Sequence, residues 1–243
     1  MSAHLSSAST LRRLAAVGLA ALGLATAAAT SAPPGAHAAA TSAPPRAHAA
    51  VRSPVQTALL LNSCPVMMNA YMNRDISTLT PYQRQRTGFC LINAARQKYG
   101  APALGNQPQL LASALGHAQL SARLAYWTTW QSSHIEPSQA QAGLGVDDAI
   151  EQRIANSGFC QGGSLSSNEI TFTGWGTGGA YPPSLLGAVR WWLSDPPHRA
   201  VLLDPTLKHV GFGAVPGDSQ STDSPGNAPA GTFVADFGSC NGN

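Results

Sequence analysis

The chain of 243 residues is poor in charged side chains, which make up 10% of it, and its 14 basic residues barely outnumber its 11 acidic ones. Three of the basic residues, Arg12, Arg13 and Arg46, lie in the first fifty residues, which contain no acid. The remaining chain is therefore balanced in charge and lacks the basic face of a nucleic-acid-binding protein. No apolar run longer than the N-terminal one is present, which excludes a protein with several membrane spans.

Short motifs of common enzyme classes are also absent. The sequence contains no HExxH, no GxSxG, no phosphate-binding P-loop and no CxxC pair. Each of these motifs places a nucleophile, a metal ligand or a phosphate cradle at a fixed spacing. Without them, the histidines and isolated acids are the residues to consider for a site.

The N-terminus has the pattern of an export signal. Arg12-Arg13 precedes an uncharged stretch rich in Ala and Leu at 14–29, and Ala36-His37-Ala38 offers a cleavage site between small residues. We assign residues 1–38 to a signal peptide and 39–51 to a spacer, where the Pro/Ala-rich sequence TSAPPGAHAAA recurs as TSAPPRAHAAV. Such a composition cannot bury a core. The mature protein is expected to be secreted, without a membrane span.

The four cysteines, Cys64, Cys90, Cys160 and Cys240, all lie after this leader. An even number of cysteines on an exported chain predicts two disulfides, and three pairings are possible. We favour Cys64 with Cys90 and Cys160 with Cys240, because each bond then stays within its own half of the chain.

Hydrophobic periodicity predicts helices in the first part of the mature chain. Residues 52–87 are expected to form a helical extension. Thr80-Pro81 predicts the start of a helix that Gly100 ends, and a second helix begins near Pro108. The buried face of the first helix is expected to include Phe89, Ile92, Ala95 and Tyr99, and that of the second Leu111, Leu115, Ala118 and Ala122.

Further helices are predicted at 147–156 and 183–193, and two β-like runs follow at 209–215 and 232–237. Helices followed by strands, without alternation of the two, favour an α+β fold.

Two histidines stand out by their surroundings. His134 follows an aromatic segment at 126–130, and His198 follows a Pro pair that is expected to end a helix, three residues after Asp195. Two His residues with carboxylates such as Glu169 form a ligand set suited to zinc or a similar divalent cation. The alternative is that each His binds a neighbouring acid and braces its loop. His117 is interpreted as a partly buried helix residue, and His209 as a rim residue.

A series of segments resembles bacterial secreted CAP domains, a superfamily of cysteine-rich secretory, antigen and pathogenesis-related proteins. The segments run in order through a domain that we place at 88–243, and they lie at 91–96, 100–104, 133–134, 153–159, 168–170, 192–199, 204–205, 210–213 and 234–238.

The resemblance implies an α-β-α sandwich, with an antiparallel sheet between helical layers, around a cleft that holds His134, Glu169, Asp195 and His198. Asp195 stands where many eukaryotic members have Glu, so its shorter side chain would reach a metal through a bridging water. Asn168 stands where the family usually has Gly, so the turn that aims Glu169 is expected to differ. The glycine-rich segment 162–183 is expected to be mobile.

Family members are mostly secreted proteins without enzymatic activity, and several resemble lipid or sterol carriers. The leading hypothesis is a CAP domain that binds a divalent cation, a small apolar ligand such as a lipid or sterol, or both. Trp127, Trp130 and Trp175 would lie beside the site. One alternative is a metal-assisted hydrolase with Glu169 as general base. The other is a disulfide-braced module that binds a protein partner and uses no site chemistry.

Overall fold

The computed structural model describes residues 62–127, 132–176, 181–220 and 229–242. The expected signal peptide, the spacer and residues 52–61 of the extension lie outside the described residues. In the part that is described, no helix is long and apolar enough to cross a membrane.

A four-stranded sheet lies at the centre of the fold. Its strands are β1 (Gly105–Asn106), β2 (Ser164–Trp175), β3 (His209–Pro216) and β4 (Ala230–Asn241), in the spatial order β1-β3-β4-β2. Strand β4 pairs antiparallel with β2 on one side and β3 on the other, whereas the two-residue β1 pairs parallel with β3. The expected antiparallel sheet is thus confirmed for its three long strands, and the short β1 makes the sheet mixed.

Helices cover both faces of this sheet. The described helices are α1 (Cys64–Tyr71), α2 (Pro81–Lys98), α3 (Pro108–Leu124), α4 (Pro137–Gln141), α5 (Val146–Asn156), α6 (Leu185–Ser194) and α7 (Pro196–Leu203), with a 3₁₀ turn at Ile76–Thr78. Along β4, Phe233 and Phe237 belong to the core cluster that contains buried residues of α2, α6 and α7, while Val234 belongs to the cluster that contains buried residues of α3. This alternation follows from the two-residue period of a strand and produces the expected α-β-α sandwich.

The start and end of α2 follow from local sequence. Thr80 accepts a hydrogen bond from the Gln83 backbone, the Gln83 side chain binds the Thr80 backbone in return, and Pro81 occupies the first turn. Gly100 ends the helix with a φ of +76°. The helix runs across the expected domain boundary at residue 88. The prediction for Tyr99 is wrong, because Tyr99 is 42% exposed and stacks under the Arg199 guanidinium.

The predicted buried face of α3 is displaced by one position. Leu111 and Leu115 are half-buried, whereas the buried residues are Leu110, Ser113, Ala114, His117, Ala118 and Ser121. Two glycines of β3 explain the displacement, because a Cβ at Gly211 or Gly213 would overlap the backbone of α3. The helix therefore lies directly on the sheet and turns small and polar residues toward it.

Two disulfides fasten the outer parts of the fold to this core. Cys64 is bonded to Cys90, which links α1 to α2, and Cys160 is bonded to Cys240, which links the loop after α5 to β4. These are the two pairs favoured from the sequence.

The segment expected to be mobile is largely a strand. Residues 164–175 form β2, and Asn168 lies within it, where its side-chain Oδ1 accepts a hydrogen bond from the Glu169 backbone at 2.9 Å. Glu169 is therefore aimed by the pleat of a strand, and the expected turn is not present. The helix before the Pro pair at 196–197 ends at Ser194, as expected, but the pair then begins α7, so His198 lies in a helix and not in a turn.

Candidate functional site

An open cleft of about 510 Å³ lies beside the sheet at β2. His134 and His198, the two histidines singled out from the sequence, both line this cleft. His134 comes from the loop before α4, and His198 comes from the first turn of α7. The fold thus brings together two residues that are far apart in sequence.

His134 is held from behind by Glu169. Its Nδ1 donates a hydrogen bond to Glu169 Oε1 at 2.8 Å. The Glu169 side chain is fully buried, whereas that of His134 is 19% exposed. Since a carboxylate can only accept, this bond places the proton of the imidazole on Nδ1 and leaves Nε2 for the cleft.

His117 is the largest difference between the predicted and the observed site. It lies on the sheet side of α3, fully buried, and its Nδ1 donates to Glu169 Oε2 at 2.8 Å. Its Nε2 lies 2.8 Å from the Tyr126 hydroxyl, which in turn lies 3.0 Å from Ser121 Oγ. A buried hydrogen-bond chain thus runs from the end of α3 to the cleft. The polar spacing of Ser113, His117 and Ser121, one every four residues, was the signal that could have revealed this face.

Arg153 completes the surroundings of Glu169. From α5, its Nη2 donates to Glu169 Oε2 at 2.7 Å, and its Nη1 donates to the His134 carbonyl oxygen at 2.7 Å and to Gln139 Oε1 at 2.9 Å. Attraction to Glu169 and Asp236 raises the pKa of Arg153 although burial alone would lower it. The guanidinium is the positive charge that allows a carboxylate to be buried here.

Glu169 is consequently ionised. Burial alone would raise its pKa, but His117 and Arg153, together with hydrogen bonds from both histidines, hold it well below its ordinary value. The pKa of Asp236, its neighbour on the adjacent strand, is shifted in the opposite direction. Asp236 is fully buried, and neither of its carboxyl oxygens has a hydrogen-bond partner of ordinary geometry among the described residues. Burial, and then repulsion by the Glu169 charge, raises the pKa of Asp236 well above its ordinary value.

The second histidine of the cleft has a carboxylate of its own. His198 Nδ1 lies 2.5 Å from Asp195 Oδ2, and this bond lowers the pKa of Asp195. Asp195 is also the N-cap of α7, where it accepts a long hydrogen bond of 3.5 Å from the His198 backbone. The His198 ring rests edge-on against Trp191 with centroids 4.6 Å apart. Its side chain is 20% exposed.

The four predicted ligands therefore form two imidazole–carboxylate pairs. Glu169 and Asp195 each bind an Nδ1 atom, and both histidines line the same cleft. Within residues 62–127, 132–176, 181–220 and 229–242, no group of three or more His, Cys, Asp or Glu side chains is arranged to hold a metal ion. The histidine pair is nevertheless a fitting donor set, since metal-binding imidazoles usually donate their other N–H to a carboxylate or carbonyl.

The remaining wall of the cleft is aromatic and hydroxyl-bearing. Trp127 and Trp175, which were expected near the site, both line it, whereas Trp130 lies outside the described residues. The other described lining residues are Phe172, Trp191, Ser132, Ser133, Thr171, Thr173 and Gln220. His209, the expected rim residue, lies elsewhere at the start of β3 and is half-buried, and burial lowers its pKa.

The family model for the cysteine-rich secretory protein family, CAP, matches residues 89–237, which is more than half of the chain. The chain therefore belongs to the CAP family, as its sequence motifs and its sandwich fold indicate. The matched residues include all four of His134, Glu169, Asp195 and His198, and also His117 and Arg153.

Three solved structures are similar to this chain. An outer surface protein from Borrelia burgdorferi is 20% identical, with 67% of this chain and 97% of that chain covered and a TM-score of 0.46. An extracellular protein containing an SCP domain from Bacillus anthracis is 19% identical, with 65% and 43% covered and a TM-score of 0.39. A cysteine-rich secretory protein from Staphylococcus aureus is 11% identical, with 66% and 39% covered and a TM-score of 0.38. No curated protein matches the chain.

Proposed function

We propose that this protein is an exported CAP domain that binds a divalent cation through Nε2 of His134 and Nε2 of His198. One observation carries the proposal. Both imidazoles line one cleft, and each donates its Nδ1 proton to a carboxylate, Glu169 in one case and Asp195 in the other.

The chemistry of the donor set supports this ion class. A carboxylate on Nδ1 fixes the tautomer in which Nε2 carries a lone pair, and it makes that nitrogen more basic. Imidazole suits zinc, copper and nickel, whereas magnesium and calcium prefer oxygen ligands. Two protein ligands leave coordination positions for water or for an oxygen of a bound molecule. Glu169 and Asp195 would then orient the histidines and would not bind the ion.

Binding without turnover fits the position of Glu169. The hydrolase alternative needs this carboxylate as a general base, free to take a proton from water in the cleft. Glu169 is 3% exposed, and its oxygens are occupied by His134, His117 and Arg153. A base in this position would have to leave three partners, so we propose a binding role.

An extracellular location is supported by the two disulfides, because such bonds persist in oxidising compartments outside the cytosol. The export pattern at 1–38 is in keeping with it. The expected protein, lipid or sterol partner would in that case be met outside the cell.

Imidazole ¹⁵N spectra of the oxidised protein test the proposal. Addition of one equivalent of zinc should shift the Nε2 resonances of His134 and His198 and leave their Nδ1 atoms protonated. His209 is the internal control, because it lies outside the cleft and should not respond. Unchanged Nε2 resonances at saturating zinc, or equal shifts at His209, would contradict the proposal.

A further inference from the structure

We propose that the cleft in front of the two histidines binds a neutral saccharide. The inference rests on the proposed function only for the location of the binding site, and it does not require the metal ion. It follows from the chemistry of the wall: tryptophan side chains, hydroxyl and amide groups, and no charged side chain of Lys, Arg, Asp or Glu among its described residues.

The aromatic part of the wall offers flat surfaces to a ligand. Trp127, Trp175 and Trp191 are each half-buried, so part of each indole faces the cleft. Trp191 is held in place by Phe172, with ring centroids 5.2 Å apart and an interplanar angle of 30°. The negative face of an aromatic ring attracts C–H groups, and a pyranose ring presents a face of C–H groups with hydroxyls around its edge. Rigid tryptophans therefore suit the flat faces of sugar rings.

The polar part of the wall suits the edges of the same rings. Ser132 and Ser133 supply hydroxyls, and Gln220 supplies an amide. A hydroxyl can donate one hydrogen bond and accept others, so Ser133 keeps capacity for a ligand although its Oγ lies 2.8 Å from Thr171 Oγ1. Groups that both donate and accept match the hydroxyls of a sugar, which do the same.

The charge and shape of the cleft distinguish this ligand from others. A phosphate, sulfate or carboxylate ligand is normally bound by Arg or Lys, and no such side chain is among the described residues of the wall. A lipid or sterol needs an enclosed apolar cavity, whereas this cleft is open to solvent and carries hydroxyls along it. Its volume of about 510 Å³ lies within the roughly 300–1,000 Å³ of small-ligand sites and accommodates a short oligosaccharide.

The experiment uses tryptophan fluorescence and ¹H–¹⁵N spectra of the oxidised full-length protein, titrated with cellotetraose, N-acetylchitotetraose and maltotetraose. All titrations are run in excess EDTA and repeated with zinc. The variants are Trp175→Ala and Trp127→Ala in the wall. Tyr82→Ala is the matched control, because Tyr82 is an aromatic residue of α2, 67% exposed and outside the cleft.

We expect at least one oligosaccharide to saturate the protein in EDTA and to shift indole resonances of the cleft. Either tryptophan variant should bind about tenfold more weakly. Tyr82→Ala should bind as wild type does, and saccharide affinity in EDTA should equal that measured with zinc. Failure of zinc binding alone would thus leave this inference standing.

Three results would overturn it. The first is no saturable binding of any of the three probes. The second is binding that survives both tryptophan substitutions. The third is saturable binding of a fluorescent fatty acid, cis-parinaric acid, that the tryptophan variants weaken, with no response of the protein to any sugar. That result would make the cleft a lipid site.

Discussion

Arg153 holds His134 at two points: it donates to the backbone carbonyl of His134 at 2.7 Å, and to Glu169, the carboxylate that binds the His134 ring, also at 2.7 Å. The backbone and the imidazole of His134 are thus positioned by one guanidinium on α5. Through this arrangement, a loop residue acquires the fixed orientation of a residue on a rigid element, which a binding site requires.

We expect Arg153→Met to destabilise the protein by about 3–5 kcal/mol, because it leaves Glu169 buried with one charged partner fewer. Urea unfolding followed by tryptophan fluorescence measures the change. Arg190→Met is the control, since Arg190 is exposed on α6 and its removal should cost less than about 1 kcal/mol. Equal losses of unfolding free energy in the two variants would show that the Arg153–Glu169 ion pair does not stabilise the fold.

Asp195→Asn separates the two roles of Asp195. Asn caps a helix as well as Asp does, so the free energy of unfolding should be unchanged in Asp195→Asn. The His198 Nδ1 loses its carboxylate, so zinc affinity should fall by about 10- to 100-fold. Asp195→Ala should lose both the helix cap of α7 and the support of His198, so both the stability of the protein and its zinc affinity should fall. Zinc affinity that is unchanged in Asp195→Asn would mean that the carboxylate does not support His198 as a ligand.

The Glu169–Asp236 pair makes stability depend on pH in two directions. Glu169 has a lowered pKa when folded, so its contribution is present above its unfolded pKa of about 4.3 and is lost as the pH falls. Asp236 has a raised pKa when folded, so its contribution is present below its unfolded pKa of about 3.9 and is lost as the pH rises toward the folded value.

Asp236→Asn therefore isolates the second effect, because the amide is neutral at every pH. Relative to wild type, the variant should gain thermal stability as the pH rises from about 4 toward the raised folded pKa of Asp236. Melting temperatures at several pH values in that range measure the difference. A difference that is constant with pH would show that Asp236 does not hold a proton in the folded protein.

The two disulfides should contribute unequally. The bonded cysteines are 26 residues apart in Cys64–Cys90 and 80 apart in Cys160–Cys240. The chain-entropy relation then gives about 3.5 and about 4.5 kcal/mol, respectively. Urea unfolding of the paired Cys→Ala variants tests the order. A larger loss for the pair nearer in sequence would mean that residual structure or native packing, and not loop length, sets the contribution.

The sequence predicted those parts of the fold that depend on local or periodic signals. Pro81 marks the start of α2 because its ring fixes φ, and Gly100 marks the end because glycine tolerates the positive φ found there. The disulfide pairs were anticipated from cysteine number and position. The His134 and His198 pair was identified because both stand in marked sequence surroundings. Its carboxylate partners were named too, although as ligands of the metal.

The inner part of the site was missed because it depends on how elements meet. The spacing of Ser113, His117 and Ser121 marks a polar face of α3, but it does not show that this face meets Glu169. That contact depends on the close approach of α3 to β3 that Gly211 and Gly213 allow. The pKa of Asp236 is raised by burial and then by the register that places it opposite Glu169. Neither relationship can be read from spacing along the chain.

The central claim is that the two histidines form one cation site. Calorimetric titration of the oxidised protein with zinc, beside His198→Ala and His134→Ala, tests it most directly. The account predicts one saturable site per chain in the wild type and loss of that site in each variant, with Tyr82→Ala behaving as wild type. Zinc binding that persists in both histidine variants, or its absence from the wild type, would contradict the account and leave the histidines as braces for their loops.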